Sequence, residues 1–250
     1  MDPTRRFTNR VDNYRRFRPD YPPAVAQLIR QTCGPAATLT VADLGSGTGI
    51  FTRKLLEAGF TVSAVEPNEA MREVAETALR QFSGFESIAA PAEQTGLPDH
   101  NFDAITAAQA FHWFKREEVR REFQRILKPN GWVFLIWNER NQPGSAFNQA
   151  YEDLLSTLGE AYQSVRNRWG GQGLDDFFTP GTYQTAHFDN AQRMTREELK
   201  GHFISSSYVP TEADPRHQPL LAKLEEIFRR YELDGYVEFE QQANVYFGQV

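Results

Sequence analysis

The feature that most constrains this chain is a glycine loop that follows a short run of β-forming residues. Residues 38–44 are mostly β-branched or apolar, and they lead into Asp43-Leu44-Gly45-Ser46-Gly47-Thr48-Gly49. Glycines at every second position let the backbone turn sharply and lie close to a ligand. The helical pattern over residues 47–58 offers the free N–H groups of its first turn to a polar or anionic group. Strand, glycine loop and helix in this order predict a nucleotide-type ligand.

The rest of the chain alternates short apolar runs with amphipathic segments. Strands are predicted over residues 38–44, 60–65, 85–89, 102–108, 132–137, 182–188 and 243–247. Helical patterns separate most of them, which is typical of an α/β fold with a parallel sheet. Asn68 is a predicted helix cap, and Thr195 with Glu198 forms a predicted capping box.

Two carboxylates distinguish between the nucleotides that such a loop could bind. Glu66 ends the second predicted strand, about 20 residues past the glycines, where a carboxylate accepts hydrogen bonds from a ribose diol. Asp43 can pair with the cationic amino group of S-adenosylmethionine (SAM). A dinucleotide loop would place a glycine at position 50, where this chain has Ile50. The pattern favours SAM and disfavours a nicotinamide dehydrogenase.

Composition excludes several other classes of protein. The net charge is −6, so the chain lacks the basic character of a generic nucleic-acid binder. No apolar run approaches the roughly 18 to 20 residues of a membrane span, and no apolar stretch follows the N-terminal charges as in a signal peptide. Cys33 is the single cysteine, and the scattered histidines lack metal-ligand spacing. We expect a cytoplasmic protein, monomeric or homodimeric, without metal, membrane or nucleic-acid partners.

Five segments occur here in the order in which one enzyme family carries them: the glycine loop and residues 13–22, 65–68, 92–98 and 108–113. With them the chain resembles the class I SAM-dependent methyltransferases over residues 9–140. It is most similar to the methyltransferase type 11 group and its trans-aconitate methyltransferase-like branch. The resemblance implies a Rossmann-like, doubly wound, seven-stranded sheet, mostly parallel with its last strand antiparallel. It also implies an N-terminal lid and an insertion after strand 5.

The resemblance further implies a SAM site that releases S-adenosylhomocysteine. Glu66 would hold the ribose, and Pro67 and Met71 would lie near the adenine. Pro91 stands where many relatives carry an aspartate. The implied cofactor-binding residues are Tyr14, Tyr21, Asp43, Gly45, Ser46, Gly47, Thr48, Gly49, Glu66, Pro67, Met71, Ala92, Glu93 and Gln109.

The acceptor side is expected just past the fourth strand, because ligands lie outside the carboxyl ends of the strands in open parallel sheets. His112 is the candidate catalytic residue, as a general base or a donor that orients the acceptor. The alternative is that His112 packs beside Trp113 and closes the cofactor pocket. Trp113, Arg18 and Asn138 are the further candidates for acceptor binding, Arg18 because a guanidinium suits an anionic ligand. Residues 137–140, which end the fifth predicted strand, are expected to line the acceptor pocket.

Together these features predict one methyltransferase domain over residues 1–250. Residues 1–36 form an N-terminal lid and helix, 37–140 the SAM-binding core, 141–181 an insertion that caps the acceptor, and 182–250 the C-terminal part of the sheet and helices. The predicted reaction is SAM-dependent methylation of a small molecule at a carboxylate or hydroxyl oxygen. The alternative is a SAM-binding regulatory or scaffold protein without turnover, because the glycine loop by itself indicates only cofactor binding.

Overall fold

A computed structural model describes residues 19–34, 38–141, 144–166 and 173–250, and it has a seven-stranded main sheet. The strands in chain order are β1 (Thr40–Leu44), β2 (Thr61–Val65), β3 (Phe85–Ile88), β4 (Phe102–Ala108), β5 (Leu127–Arg140), β6 (Gln184–Asp189), β7 (Gln192–Thr195), β8 (Tyr236–Phe239) and β9 (Gln241–Gly248). The main sheet has the order β3-β2-β1-β4-β5-β9-β6, and β7 and β8 pair separately. Strands β1 to β5 are mutually parallel, and β9 is antiparallel to both of its neighbours. The predicted α/β sheet, with its last strand antiparallel, is confirmed.

Eight α-helices lie in the described ranges, and local signals explain several of their ends. They are α1 (Pro23–Cys33), α2 (Ile50–Glu57), α3 (Glu69–Leu79), α4 (Arg116–Ile126), α5 (Ala146–Ser156), α6 (Glu160–Arg166), α7 (Arg196–Ser205) and α8 (His217–Tyr231). The Asn68 side chain accepts a hydrogen bond from the Met71 N–H and so caps α3. Thr195 and Glu198 form the predicted reciprocal capping box at α7. None of the helices in the described ranges is long and apolar enough to cross a membrane.

Both faces of the main sheet are covered, as the alternation along β5 shows. Val133, Leu135 and Trp137 join an apolar cluster with α4, whereas Phe134 and Ile136 join a cluster with α1, α2 and α3. Side chains along a strand point alternately to opposite faces, so a strand buried on both faces reads as a continuous apolar run. This double cover fixes the carboxyl ends of the strands at one edge of the sheet.

A third apolar cluster lies outside the main sheet, in a region that we call the cap (residues 144–166 and 192–239). Its buried side chains come from α5, α6, β7, α7, α8 and β8, and include Tyr151, Tyr162, Phe203, Phe228 and Phe239. The α5–α6 segment, which lies within the predicted insertion, therefore shares its core with residues that follow β6. Strands β7 and β8 were not predicted from the sequence.

Candidate active site

A cleft opens at the carboxyl ends of β1, β2, β4 and β5 and extends to the cap. Its empty volume is about 1290 Å³, a figure that includes the solvent-filled mouth. The predicted site residues that line it are Tyr21, Asp43, Gly45, Ser46, Gly47, Thr48, Glu66, Pro67, Met71, Gln109, Trp113 and Asn138. The structure thus gathers most of the predicted cofactor residues and two predicted acceptor residues in one cavity.

The glycine loop is folded back onto the end of β2. The N–H groups of Gly45 and Ser46 donate to the Val65 carbonyl at 2.9 and 3.1 Å. Gly45 has a φ of 68°, and a Cβ there would lie 2.6 Å from the Ala110 Cβ, so only glycine fits. At Gly47 a Cβ would meet a single atom within 4 Å, the Met71 sulfur at 3.9 Å. The loop therefore presents bare backbone to the cleft at this point.

Glu66 joins the glycine loop to the start of α3. One carboxylate oxygen accepts from the Gly47 N–H at 3.0 Å, and the other accepts from the Asn68 N–H at 2.8 Å. Burial raises the pKa of Glu66, although these two backbone bonds and Arg72 act in the opposite direction. A carboxylate has about four lone-pair sites. Capacity therefore remains on Glu66 to accept hydrogen bonds from a ligand diol.

Asp43 is a fixed negative group beneath the loop. Its oxygens accept from the Thr52 and Thr106 hydroxyls at 2.6 and 2.8 Å, which ties β1 to α2 and β4. Burial raises the pKa of Asp43 to about 6, with a smaller contribution from the negative charge of Glu66. A cation in the cleft would offset the repulsion between these two carboxylates, whereas an anionic diphosphate would add to it.

The residues at this end of the cleft fit SAM. Its sulfonium and amino group would lie in the field of Asp43 and Glu66, and Glu66 offers acceptors for a ribose. The Thr48 hydroxyl is buried and has no hydrogen-bond partner among the described residues. It is therefore available to a polar group of a bound ligand.

Gln109 and Asn138 join the ends of β4 and β5 to the start of the described chain. Gln109 has a φ of 55°, and its side-chain amide donates to the Asn138 carbonyl at 3.0 Å. The side-chain amides of Asn138 and Asn190 both donate to the Asp20 carbonyl. Asp20 is held in turn by Lys54, at 2.7 Å. This network holds the segment before α1, including Tyr21, against the cleft.

Other predicted site residues have different surroundings. A Cβ on Gly49 would lie 2.8 Å from Leu79, so this glycine permits close contact between α2 and α3. Ala92 is buried in the α4-side apolar cluster, and the Glu93 carboxylate accepts from the Lys115 N–H. His112 accepts from the Trp137 indole N–H at 3.3 Å, and its ring lies 4.7 Å from that of Trp113. The predicted residues Tyr14 and Arg18 lie outside the described part of the chain.

Sequence reasoning missed most of the cap side of the cleft. Arg140, His202, Tyr208, Phe239 and Gln241 line it as well. Arg140 is the exception, because residues 137–140 at the end of the fifth strand are predicted to line the acceptor pocket, and Arg140 does line the cleft. The other four lack a local motif. The folded cap brings His202, Tyr208 and Phe239 to the cleft, whereas the pairing of β5 with β9 brings Gln241 there.

Comparisons with known proteins identify the family. A family model described as a methyltransferase domain matches residues 42–135. An uncharacterized methyltransferase of Mycobacterium tuberculosis is 38% identical over 136 residues, which are 54% of this chain and 53% of that protein. The match thus spans about half the length of that relative.

Two further comparisons cover more of the chain. A Dictyostelium discoideum protein named as a methyltransferase is 32% identical over 194 residues, 76% of this chain and 69% of that protein. A solved structure from Anaeromyxobacter dehalogenans, described as a type II methyltransferase, covers 93% of this chain and 98% of its own at a TM-score of 0.69 and 22% identity. The solved structure shows the same fold. The chain therefore belongs to the class I SAM-dependent methyltransferase family.

Proposed function

We propose that this chain is an enzyme that transfers the methyl group of SAM to an oxygen atom of a small-molecule acceptor. The observation that carries the proposal is that one cleft contains the glycine loop with Asp43 and Glu66 and also reaches the polar and aromatic side chains of the cap. Bound SAM supplies an electrophilic methyl group on a sulfonium. The chain's own contribution is to hold acceptor and cofactor in line and to exclude water, which supplies much of the rate enhancement.

A carboxylate or a hydroxyl oxygen would be the atom methylated. A carboxylate oxygen forms its new bond to the methyl carbon as the sulfur–carbon bond breaks, which leaves a methyl ester and a neutral thioether and moves no proton. A hydroxyl acceptor must also lose a proton, and His112 is the predicted base for that case. The resemblance to the trans-aconitate methyltransferase-like branch supports the carboxylate. We further propose that the enzyme acts in the cytoplasm, as a monomer or homodimer, and without a nucleic-acid substrate.

Cofactor binding can be tested by calorimetry with SAM. Glu66→Ala should weaken SAM binding by more than about tenfold, because charge-assisted hydrogen bonds contribute roughly 1.5 to 3 kcal/mol. Glu69→Ala is the matched control, since this exposed glutamate in the first turn of α3 removes the same charge nearby. Equal SAM affinity in both variants, or binding of NADH but not SAM by the wild type, would overturn the cofactor assignment.

Turnover requires a second measurement. Release of S-adenosylhomocysteine should be followed with a panel of carboxylic acids and alcohols. Release with acids and the appearance of methyl esters would support the proposal. Tight SAM binding without release on any acceptor would contradict it and favour a SAM-binding regulatory protein.

A further inference from the structure

A buried amide without a partner lies where β5 meets β9. Gln241 is the first residue of β9 and is only 3% exposed. Its side-chain nitrogen has no hydrogen-bond partner among the described residues, yet the residue lines the cleft. Buried donors are almost always paired, because desolvation without a hydrogen bond is destabilising. Such a donor at the wall of a cleft is suited to bind an acceptor atom of a ligand.

A guanidinium lies beside this amide. Arg140 is directly opposite Gln241 in the β5–β9 register, so their Cβ atoms are about 4.5–5.5 Å apart on one face of the sheet. The Arg140 Nε donates to Glu152 at 3.0 Å, and an Nη donates to the Tyr162 hydroxyl. These bonds fix a buried cation at the cleft wall. Arg166 pairs with the same Glu152 carboxylate at 3.0 Å, so two guanidiniums share one carboxylate and the cluster keeps a net positive charge. Because its surroundings are poorly screened, its charge acts strongly on a nearby anion.

Aromatic side chains complete this part of the cleft. His202, Tyr208 and Phe239 line it next to the β5–β9 pair, and the rings of His202 and Phe239 lie 4.9 Å apart. A neutral hydrogen-bond donor and a fixed cation therefore adjoin an aromatic surface. A ligand that fits has a carboxylate at one end and an apolar or planar body behind it.

We propose that Gln241 and Arg140 form the acceptor subsite, and that this subsite binds a carboxylate group of the acceptor. The Gln241 amide donates to one carboxylate oxygen, and Arg140 supplies the compensating charge. The inference rests on the proposed function, because it assumes that the cap end of the SAM cleft receives the acceptor. It goes further by naming the two residues that select the carboxylate.

Three probes of matched shape test the subsite: phenylacetate, phenylacetamide and phenethylamine. Each is titrated by calorimetry into protein saturated with S-adenosylhomocysteine, and millimolar affinity for phenylacetate is expected. Gln241→Met should lower the affinity for phenylacetate about tenfold. Gln241→Glu should lower the affinity for phenylacetate further and should raise the affinity for phenethylamine. Gln242→Met is the control, because this neighbouring residue of β9 is not among those that line the cleft.

The melting temperature and the affinity for S-adenosylhomocysteine distinguish a wrong subsite from a wrong cofactor assignment. Gln241→Met should melt at or above the wild-type temperature, because it removes an unsatisfied buried donor, and it should bind S-adenosylhomocysteine as the wild type does. If S-adenosylhomocysteine binds but phenylacetate does not, or binds Gln241→Met equally well, the subsite is wrong while the cofactor assignment stands. If the wild type does not bind S-adenosylhomocysteine, the proposed function itself fails.

Discussion

The two ends of the cleft are built in different ways. The residues that line the cofactor end lie mainly in one continuous stretch, Asp43 to Met71. This stretch follows strand ends of the main sheet, which the two large apolar clusters cover on its two faces. The cap end collects Arg140, Tyr208 and Gln241 from distant parts of the chain, and the third apolar cluster positions part of it. A cofactor shared by a family needs a fixed backbone, which a local motif can encode. An acceptor that differs between enzymes is matched by side chains that long-range contacts assemble.

The largest effect expected from this comparison is at the glycine loop. Gly45→Val should cost about 4 kcal/mol of unfolding free energy, from a left-handed backbone that a β-branched residue resists and from contact with Ala110 and Phe114. Gly96→Val is the control, since φ is 73° there and no atom lies within 4 Å of the added Cβ. We expect it to cost about 1 to 2 kcal/mol. Chemical denaturation measures both, and equal costs would show that Gly45 is required only for its backbone angle.

The second prediction asks whether the cap can be weakened without loss of the cofactor end. Glu152 binds Arg140 and Arg166, each at 3.0 Å. Glu152→Gln should cost about 3 kcal/mol, because it leaves buried positive charge without its carboxylate. Asp153→Asn, on the exposed side of the same helix, should cost less than about 0.5 kcal/mol. SAM affinity, measured by calorimetry, should change less than about twofold in both variants. A parallel loss of SAM affinity would mean that the two ends are not independent.

The same contrast explains what the sequence could predict. The strand Phe102–Ala108 and the helix start at Thr195 lie where the pattern placed them, because local alternation and capping determine them. The cleft positions of Asp43, Glu66 and Gln109 follow from strand ends, which parallel pairing brings to one edge. These inferences required only local sequence and the general geometry of an α/β sheet.

The cap could not be predicted in the same way. His202 is one of the scattered histidines without metal-ligand spacing, and its sequence surroundings do not predict that it lines the cleft. Gln241 lies far in sequence from Arg140, and only the antiparallel pairing of β5 and β9 makes them neighbours. Short strands such as β7 and β8 depend on each other for pairing, so neither gives a clear pattern alone. Contacts between distant segments carry no local signature.

The third prediction concerns the pH dependence of SAM affinity at the cofactor end. The pKa of Asp43 is about 6, above its ordinary value of 3.8, mainly because of burial. Its contribution to stability without ligand is therefore present below about pH 4 and is lost as pH rises through 6. A cationic ligand favours the charged form, so SAM affinity should rise about tenfold between pH 5 and pH 7. Asp43→Asn should flatten this rise, leaving the smaller part due to Glu66. Calorimetry across this range that showed no slope in the wild type would contradict the assignment.

The smallest expected effect is at the start of α7, where a local motif serves the cap. Thr195→Ala removes a capping hydrogen bond to the Glu198 N–H and should cost about 1 kcal/mol in chemical denaturation. Thr195→Ser retains the hydroxyl and should cost much less. Because α7 contributes Leu199 and Phe203 to the cap core and His202 to the cleft, Thr195→Ala should weaken acceptor binding while SAM affinity stays at the wild-type value. If SAM affinity falls instead, the cap also shapes the cofactor end, and the division between a locally encoded end and an assembled end has to be given up.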